Sequence, residues 1–304
     1  MAGTVAVTGG TGFVGRTLID RLAASGLAVR ALSRRDKVPG TVTVRGALDD
    51  PGALAELVHE ADQVVHLAGL VKSPDRAAFA RVNATGTERL ALAMARGTGR
   101  LVLVSSLAAR HPHVSAYAAS KRASEAAALD VLGPERVTIL RPPAVYGPGD
   151  RATLLIFRQL ANGVLVAPGP RGARFSMIHV ADLIELIAAH LAGRLTLPPV
   201  LEPDDGRAGG YGWGDLAAVA ARTTGRRVRT LRVPVRLLEL PARAADGLAR
   251  RFALDLPLSR DKLGELGHGQ WIAGGPALPE APPRITFETG FGDTLDWYRR
   301  AGWL

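Results

Sequence analysis

VAVTGGTGFVG, residues 5–15, sets four glycines within seven positions directly behind an apolar, β-branched run. The run reads as a buried strand. The adjoining stretch, FVGRTLIDRLAASG (13–26), has the apolar spacing of an amphipathic helix that closes on a glycine. Gly9, Gly12 and Gly15 therefore sit on a strand-to-helix turn. One glycine there permits the tight turn, the next lets a diphosphate touch bare backbone, and the last lets the helix pack closely on the sheet. The start of the helix directs its N–H groups at that anion. The pattern points to a dinucleotide. A P-loop is excluded, because no Gly-Lys-Ser/Thr comes after it.

Downstream, short β-like runs alternate with helical ones. Strands are expected at 4–8, 27–33, 41–46, 63–69, 100–106 and 136–142, with helices at 51–60, 77–95 and 115–132. Strands that are apolar throughout and separated by helices imply a parallel sheet covered on both faces. The expected fold is an α/β, Rossmann-type doubly wound sheet, with its ligand crevice at the carboxyl ends of the strands. After about Gly147 prolines and glycines thicken and helices appear without matching strands. The expected division is a dinucleotide-binding domain over 1–147, completed by parts of 175–200. A smaller, mostly helical substrate lobe over 148–304 is interleaved with it.

The end of the second strand chooses the dinucleotide. An NAD site places an acid there to bind the ribose hydroxyls, whereas this strand ends in Ser33-Arg34-Arg35. A guanidinium pairs bidentately with a 2′-phosphate, so NADP(H) is favoured over NAD(H). Asp36 is the NAD-type rival, beyond the expected strand end.

Bulk composition narrows the partners. Apolar residues make up 47% of the 304, enough for a sizeable core. No apolar run reaches the length of a membrane-spanning helix, and no signal peptide is evident, so a cytoplasmic protein is expected. There are no cysteines, hence no thiol nucleophile and no thiolate metal site. The net charge of +10 comes mainly from scattered arginines, since only Lys37, Lys72, Lys121 and Lys262 are lysines. Nucleic-acid binding would want a basic stripe with stacking aromatics, and aromatics are only 5%. A small-molecule substrate is expected, and no nucleic acid.

YAASK places Tyr117 and Lys121 one helical turn apart on one face. Ser105 and Ser106 end the strand just before it. A phenol near pKa 10 is a poor acid/base at neutral pH, but a neighbouring ammonium favours phenolate and lowers that value. A serine hydroxyl can hold the substrate oxygen. Together these residues make a proton relay beside a hydride carrier.

With these residues in view, the chain resembles the extended short-chain dehydrogenases/reductases of the NAD-dependent epimerase/dehydratase group. The resemblance runs nearly end to end, through VTGGTGFVG, VVHLAG (64–69), RVNATGTERL (81–90), VSS (104–106), YAASK, RPPAVYGPGD (141–150), MIHVADL (177–183) and TLDWYRRAGWL (294–304). It implies Tyr117 as general acid/base, Lys121 as holder of the nicotinamide ribose, Ser106 as the group orienting the reacting oxygen, and Asn83 as a more structural member of the catalytic set. It implies Gly9, Thr11, Gly12, Phe13 and Val14 at the diphosphate, and Leu67, Ala68 and Gly69 beneath the ribose. Ser105 would flank the cofactor, and Pro142 would lie against the nicotinamide amide. Ser33 and Arg34 would take the 2′-phosphate, as in flavonol-reductase-like members. A homodimer is a family expectation, and no metal is implied.

Three departures bear on substrate. Nucleotide-sugar epimerases carry Asn where Ala144 stands and a phosphate-clamping Arg where Phe175 stands. Sugar dehydratases carry an acid where Leu107 stands. Arg174 is adjacent to Phe175, but one position along a strand turns the side chain to the other face. These changes favour a less charged, more apolar carbonyl or alcohol. Ala47 replaces an Asp that bonds adenine in many relatives, which leaves that task to Leu48, Asp49 or backbone. The expected function is NAD(P)-dependent hydride transfer at such a carbonyl. The alternatives are a nucleotide-sugar epimerase or dehydratase that keeps its cofactor, and a cofactor-binding scaffold without turnover. His111 and His113 form a pair without a third ligand, a poor metal site. Residues 233–257 combine apolar positions with arginines. They read as a helix covering the substrate pocket or, more sharply, as a basic amphipathic helix making a peripheral membrane contact.

Overall fold

The computed structural model describes residues 3–35, 37–252, 259–275 and 278–304. The chain forms two compact units, 1–141 with 184–201 and 142–183 with 202–304. The first unit opens with β1 (Thr4–Thr8), α1 (Phe13–Ala23), β2 (Ala28–Ser33), β3 (Val42–Arg45), α2 (Pro51–Val58) and β4 (Gln63–His66). It continues with α3 (Arg76–Phe79), a π-helical segment Ala80–Thr85, α4 (Gly86–Met94), β5 (Arg100–Val104), α5 (Ala116–Leu132) and β6 (Val137–Leu140). The chain returns to it later through the edge strand Val200–Leu201. Its sheet is seven-stranded, in the order Val200–Leu201, β6, β5, β4, β1, β2, β3, and every pairing is parallel. The order reverses between β1 and β4, and that is where such a sheet opens a crevice at its carboxyl edge.

Local chemistry explains the elements. Val5, Ala6, Val7, Val64, Val65, Leu101, Val102 and Leu103 are buried with α-helical partners such as Leu18, Leu22, Leu54, Leu57 and Leu90. Asp50 caps α2 by accepting from the N–H groups of Gly52 and Ala53, both at 3.0 Å, ahead of Pro51 at the first helical position. Such a cap is worth about 1 kcal/mol. Ser115 caps α5 by accepting from Ala118 N–H at 2.9 Å. The helix expected at 77–95 forms from residue 76, but it is not uniform. In its π-helical segment the Gly86 N–H reaches the Arg81 carbonyl, five residues back.

The second unit has more strand than its sequence suggests. Three two-stranded parallel ladders pair Ala144–Tyr146 with Met177–His179, Val164–Pro168 with Arg229–Val233, and Arg174–Phe175 with Gln270–Trp271. These strands are two to five residues long, too short to show a period of two. Five helices lie wholly in this unit among the described residues: Leu154–Ala161, Trp213–Thr224, Glu239–Phe252, Arg260–His268 and Phe287–Arg300. Its core is aromatic. Phe157 packs on Phe291 at 5.1 Å and on Tyr298 at 5.3 Å, and Tyr146 packs on Phe287 at 5.3 Å between ring centroids. No helix among the described residues is long and apolar enough to cross a membrane.

Candidate active site

The glycine turn is built as its sequence implies. Gly9 has φ +74°, and a Cβ on it would lie 2.6 Å from Ala68 N, so the loop after β4 presses directly on it. A Cβ on Gly15 would come within 2.1 Å of Gly9 O, and this position admits no side chain without moving helix or loop. Gly12 is different: a Cβ there would meet only Gly9 O, at 3.3 Å. It is exposed and sits at the N-cap of α1, where no side chain caps the helix. The result is a cradle of bare backbone at an uncapped helix start, which fits a dinucleotide diphosphate. Thr11 is exposed beside it, and Phe13 and Val14 are half-buried in the first turn.

The neighbouring strand ends fall into place around this cradle. Ser33 closes β2, buried, with its carbonyl accepting from Gly46 N–H at 3.0 Å. Arg34 and Arg35 come next, both exposed. Asp36, the NAD-type rival, lies outside the described residues. After β3, Leu48 packs where a side chain on Gly86 would stand, its Cδ1 2.8 Å from that position. Asp49 is exposed while Asp50 is engaged as the helix cap.

Beneath the loop 67–70 runs a buried hydrogen-bond chain that the sequence did not reveal. Thr87 Oγ1 donates to Asn83 O at 2.6 Å, so toward His66 Nε2, 2.9 Å away, it accepts. His66 therefore carries its proton on Nε2, and its bare Nδ1 accepts from Thr8 Oγ1 at 2.6 Å. Thr8 Oγ1 in turn accepts from Ala68 N–H at 3.2 Å. Burial, and then the charge of Lys121, push the His66 pKa down to about 3, so the ring is neutral across the physiological range. Asn83 completes the clamp. Its Oδ1 accepts from Leu70 N–H at 2.7 Å, and its Nδ2 donates to Leu70 O at 3.0 Å and to Ser120 Oγ at 2.9 Å. With all its polar atoms engaged by the chain, Asn83 acts as a positioning residue for the loop and for α5. It sits in the π-helical segment, a distortion common at functional sites.

The two serines after β5 diverge. Ser105 is buried and its hydroxyl donates to Glu125 Oε1 at 2.5 Å, so its side chain is committed inside the fold. Ser106 caps the short 3₁₀ turn Leu107–Arg110, its Oγ accepting from Ala108 N–H at 3.2 Å. That bond leaves its own proton for another acceptor. Tyr117, in the first turn of α5, is half-buried with its ring edge-on to Phe79 at 6.1 Å. One turn later the ammonium of Lys121 is buried, donates to Val104 O at 2.8 Å, and lies 3.8 Å from where a Gly69 Cβ would stand. Asn83 Oδ1 is 3.0 Å from that same point. Gly69 thus keeps clear the space between Asn83 and Lys121. Burial lowers the Lys121 pKa to about 8, with Glu125 opposing the shift. Glu125, four residues further on, is locked bidentately by Arg141 at 2.9 and 2.7 Å. Arg141 opens the stretch 141–150 that carries part of the resemblance, but nothing in the sequence pairs it with Glu125, because Glu125 lies on α5 and Arg141 follows β6.

The glycine turn and residues 33–34, 48–49, 67–69 and 105–106 all lie just past carboxyl ends of strands in one sheet. Pro142, the first residue of the second unit, comes after β6 in the chain. In that unit, Arg174 spends its guanidinium on Gly209 O and Gly210 O, both at 2.7 Å, and on Asp215 at 3.5 Å. Phe175 packs tilted against Trp213, ring centroids 4.9 Å apart. Neither can clamp a diphosphate as built. His111 and His113 stand edge to face at 6.0 Å. Among the described residues no group of three or more His, Cys, Asp or Glu could hold a metal ion.

Known proteins match this arrangement. The NAD dependent epimerase/dehydratase family matches over residues 5–196. The ceramide reductase of Caulobacter vibrioides is 37% identical over 309 residues, spanning 99% of this chain and 96% of its own length. The 2-alkyl-3-oxoalkanoate reductase of Stenotrophomonas maltophilia is 33% identical over 48% of this chain and 52% of its own length. Among solved structures, MoeE5 in complex with UDP-glucose and NAD shares the fold, with a TM-score of 0.74 at 23% identity over 98% of this chain and 99% of that one. The chain belongs to the NAD dependent epimerase/dehydratase family, as an NAD(P)-dependent oxidoreductase of the extended short-chain dehydrogenase/reductase type.

Proposed function

We propose that this chain reduces a ketone carried by a long-chain, ceramide-like lipid, with NADP(H) as its cofactor and Tyr117 as the proton donor. The observation that carries the reading is the identity of 37% with a ceramide reductase over nearly the whole of both chains. A second reductase relative is named for a 3-oxoalkanoate, also a ketone on an apolar chain. The commitment of Arg174 to backbone carbonyls and the apolar side chains at Ala144, Phe175 and Leu107 support a substrate without a diphosphate.

Bound NADPH would supply the two reducing electrons. The chain supplies the rest. Ser106 gives its hydroxyl proton as a hydrogen bond to the ketone oxygen and orients it. Tyr117 transfers its phenolic proton to that oxygen as the alcohol forms. Lys121, mostly protonated at neutral pH with its pKa near 8, lowers the cost of the phenolate left behind. Arg34 would pair with the 2′-phosphate, and the backbone at Gly9, Thr11, Gly12, Phe13 and Val14 would seat the diphosphate. Leu67, Ala68, Gly69 and Pro142 would border the ribose and nicotinamide, and Leu48 and Asp49 the adenine.

The test is ketone-dependent loss of nicotinamide absorbance with a keto-ceramide, NADPH against NADH. Oxidation of NADPH in preference to NADH, weakened by Arg34→Ser and abolished by Tyr117→Phe, is the expected result. Cofactor that copurifies, never changes redox state over a turnover and accompanies isomerised nucleotide sugar would overturn it. An Arg34→Ser variant with an unchanged cofactor ratio would remove the NADP(H) assignment alone.

A further inference from the structure

The segment 226–238, RRVRTLRVPVRLL, carries five arginines and no carboxylate. Arg226, Arg227, Arg229, Arg232 and Arg236 are all exposed. The chain then enters the helix Glu239–Phe252, which is turned the wrong way for a helix of a water-soluble lobe. Among its described side chains, up to Leu248, the buried one is Ala242, whereas Leu240 is 75% and Leu248 49% exposed. Leu240, Ala244 and Leu248 recur every fourth residue and so share one face. Ala242 lies two positions from Leu240, about 200° around the axis and so on the far side. Leu237, just before the helix, is 68% exposed, and Leu231 in the preceding strand 53%. A stretch, 231–248, that buries alanine and shows four leucines to water is made for a further apolar phase.

The charge around the leucines selects the occupant. We propose that this face docks on an anionic phospholipid bilayer, the leucines entering the headgroup–acyl boundary and the arginines meeting lipid phosphates. A second copy of the chain fits poorly, because two such faces would set arginines against arginines on proteins that each carry +10. A nucleic acid fits poorly too, since residues 226–248 contain no aromatic side chain on which a base could stack. The bilayer satisfies both halves of the pattern. The inference does not rest on the lipid substrate proposed above, although the two would serve each other.

Vesicle sedimentation of the intact protein, read without substrate, tests this separately from the ketone assay. The protein is expected to sediment with phosphatidylglycerol/phosphatidylcholine vesicles and not with phosphatidylcholine alone, and less so at high salt. Replacing Leu237, Leu240 and Leu248 together by Asn should weaken binding by about tenfold or more. Arg226→Gln, Arg227→Gln and Arg229→Gln should each cost up to about fivefold. As a control of equal charge change, Arg89, Arg96 and Arg100, exposed on the other unit, are replaced by Gln with little effect expected. Equal loss in that control would reduce the binding to net charge and overturn the assignment. So would indifference to the leucine substitutions, absence of binding at low salt, or leucine variants that merely turn a dimer into a monomer.

Discussion

The two units use tyrosine in opposite ways. In the second, Tyr146, Tyr211 and Tyr298 are 0% exposed. Their hydroxyls donate to Thr286 O, to the Asp205 carboxylate and to Asp150 O, and burial pushes each pKa up. These hydroxyls are committed inside the unit, and burial disfavours their phenolate forms. In the first unit the fourth tyrosine, Tyr117, is half-buried on a helix whose next turn holds a buried ammonium. The same side chain is cement in one place and, on the function proposed above, the proton donor in the other. Access and the neighbouring charge decide which.

The largest effect expected of that contrast is at Tyr117 itself. Tyr117→Phe removes only an oxygen, so stability should hold within about 1 kcal/mol. Turnover should fall about 10³-fold, the usual worth of a positioned general acid. Steady-state kcat set beside a urea unfolding curve separates the two effects. A Tyr117→Phe enzyme with near-normal kcat would dissolve the distinction between the units.

The ion pairs divide in the same way. Glu125 is buried and Arg141 largely so, with side chains 3% and 14% exposed, whereas Arg207 and Glu288 in the second unit are 32% and 41% exposed. Glu125→Gln should cost about 3 kcal/mol, because it takes the carboxylate away from a guanidinium that is largely out of water. Glu288→Gln should cost about 1 kcal/mol or less. Denaturant midpoints of the two variants, at matched slope, measure the difference directly.

Lys121 offers a pH test of the same interior. Its folded pKa of about 8 lies below the ordinary 10.5, so between those values the unfolded chain binds more protons than the folded one. Stability must then rise with pH across that window, and the contribution is lost as pH falls through 8. The full span corresponds to about 3 kcal/mol. In Lys121→Met the slope should vanish relative to the wild-type chain, while other titrations common to both cancel. A parallel pair of stability–pH curves would show that the ammonium is not desolvated in the fold. Such a variant should also lose turnover without losing stability at neutral pH, since it removes a buried charge.

How much of this could be read in the chain depends on how far apart the partners lie in it. The glycine turn was legible because Gly9, Gly12 and Gly15 act within one loop, and Tyr117 with Lys121 because a helix returns every fourth residue to one face. The Thr8–His66–Thr87–Asn83 chain was not, since it needs β1 beside β4 and both above α4, contacts spanning 58 and 21 residues. His66 stands inside the expected strand 63–69, where nothing nearby in the chain marks its partners. Glu125 pairs with Arg141, which follows β6, so nothing within its own helix marks the pairing. The resemblance separated Ser106 from Ser105, but not the reason: at the end of β5 the Ser105 hydroxyl is given to Glu125 in the interior, whereas Ser106 Oγ only accepts from Ala108 N–H. The edge strand Val200–Leu201 and the ladders of the second unit are too short for periodicity to register. What sequence alone conveys here is local geometry and its chemistry; what it hides is every polar contact made across elements.

The smallest effect returns to the aromatic unit. Tyr298 donates to Asp150 O at 2.7 Å, while its ring packs on Phe157 at 5.3 Å and Trp303 at 5.7 Å. Tyr298→Phe keeps the ring and removes the donor, leaving one buried carbonyl with one partner fewer. A neutral hydrogen bond of this kind contributes about 1 kcal/mol, so the unfolding midpoint should fall slightly and kcat should not change. If kcat instead fell with stability intact, the aromatic core would be part of the chemistry, and burial would no longer suffice to tell a structural tyrosine from a working one.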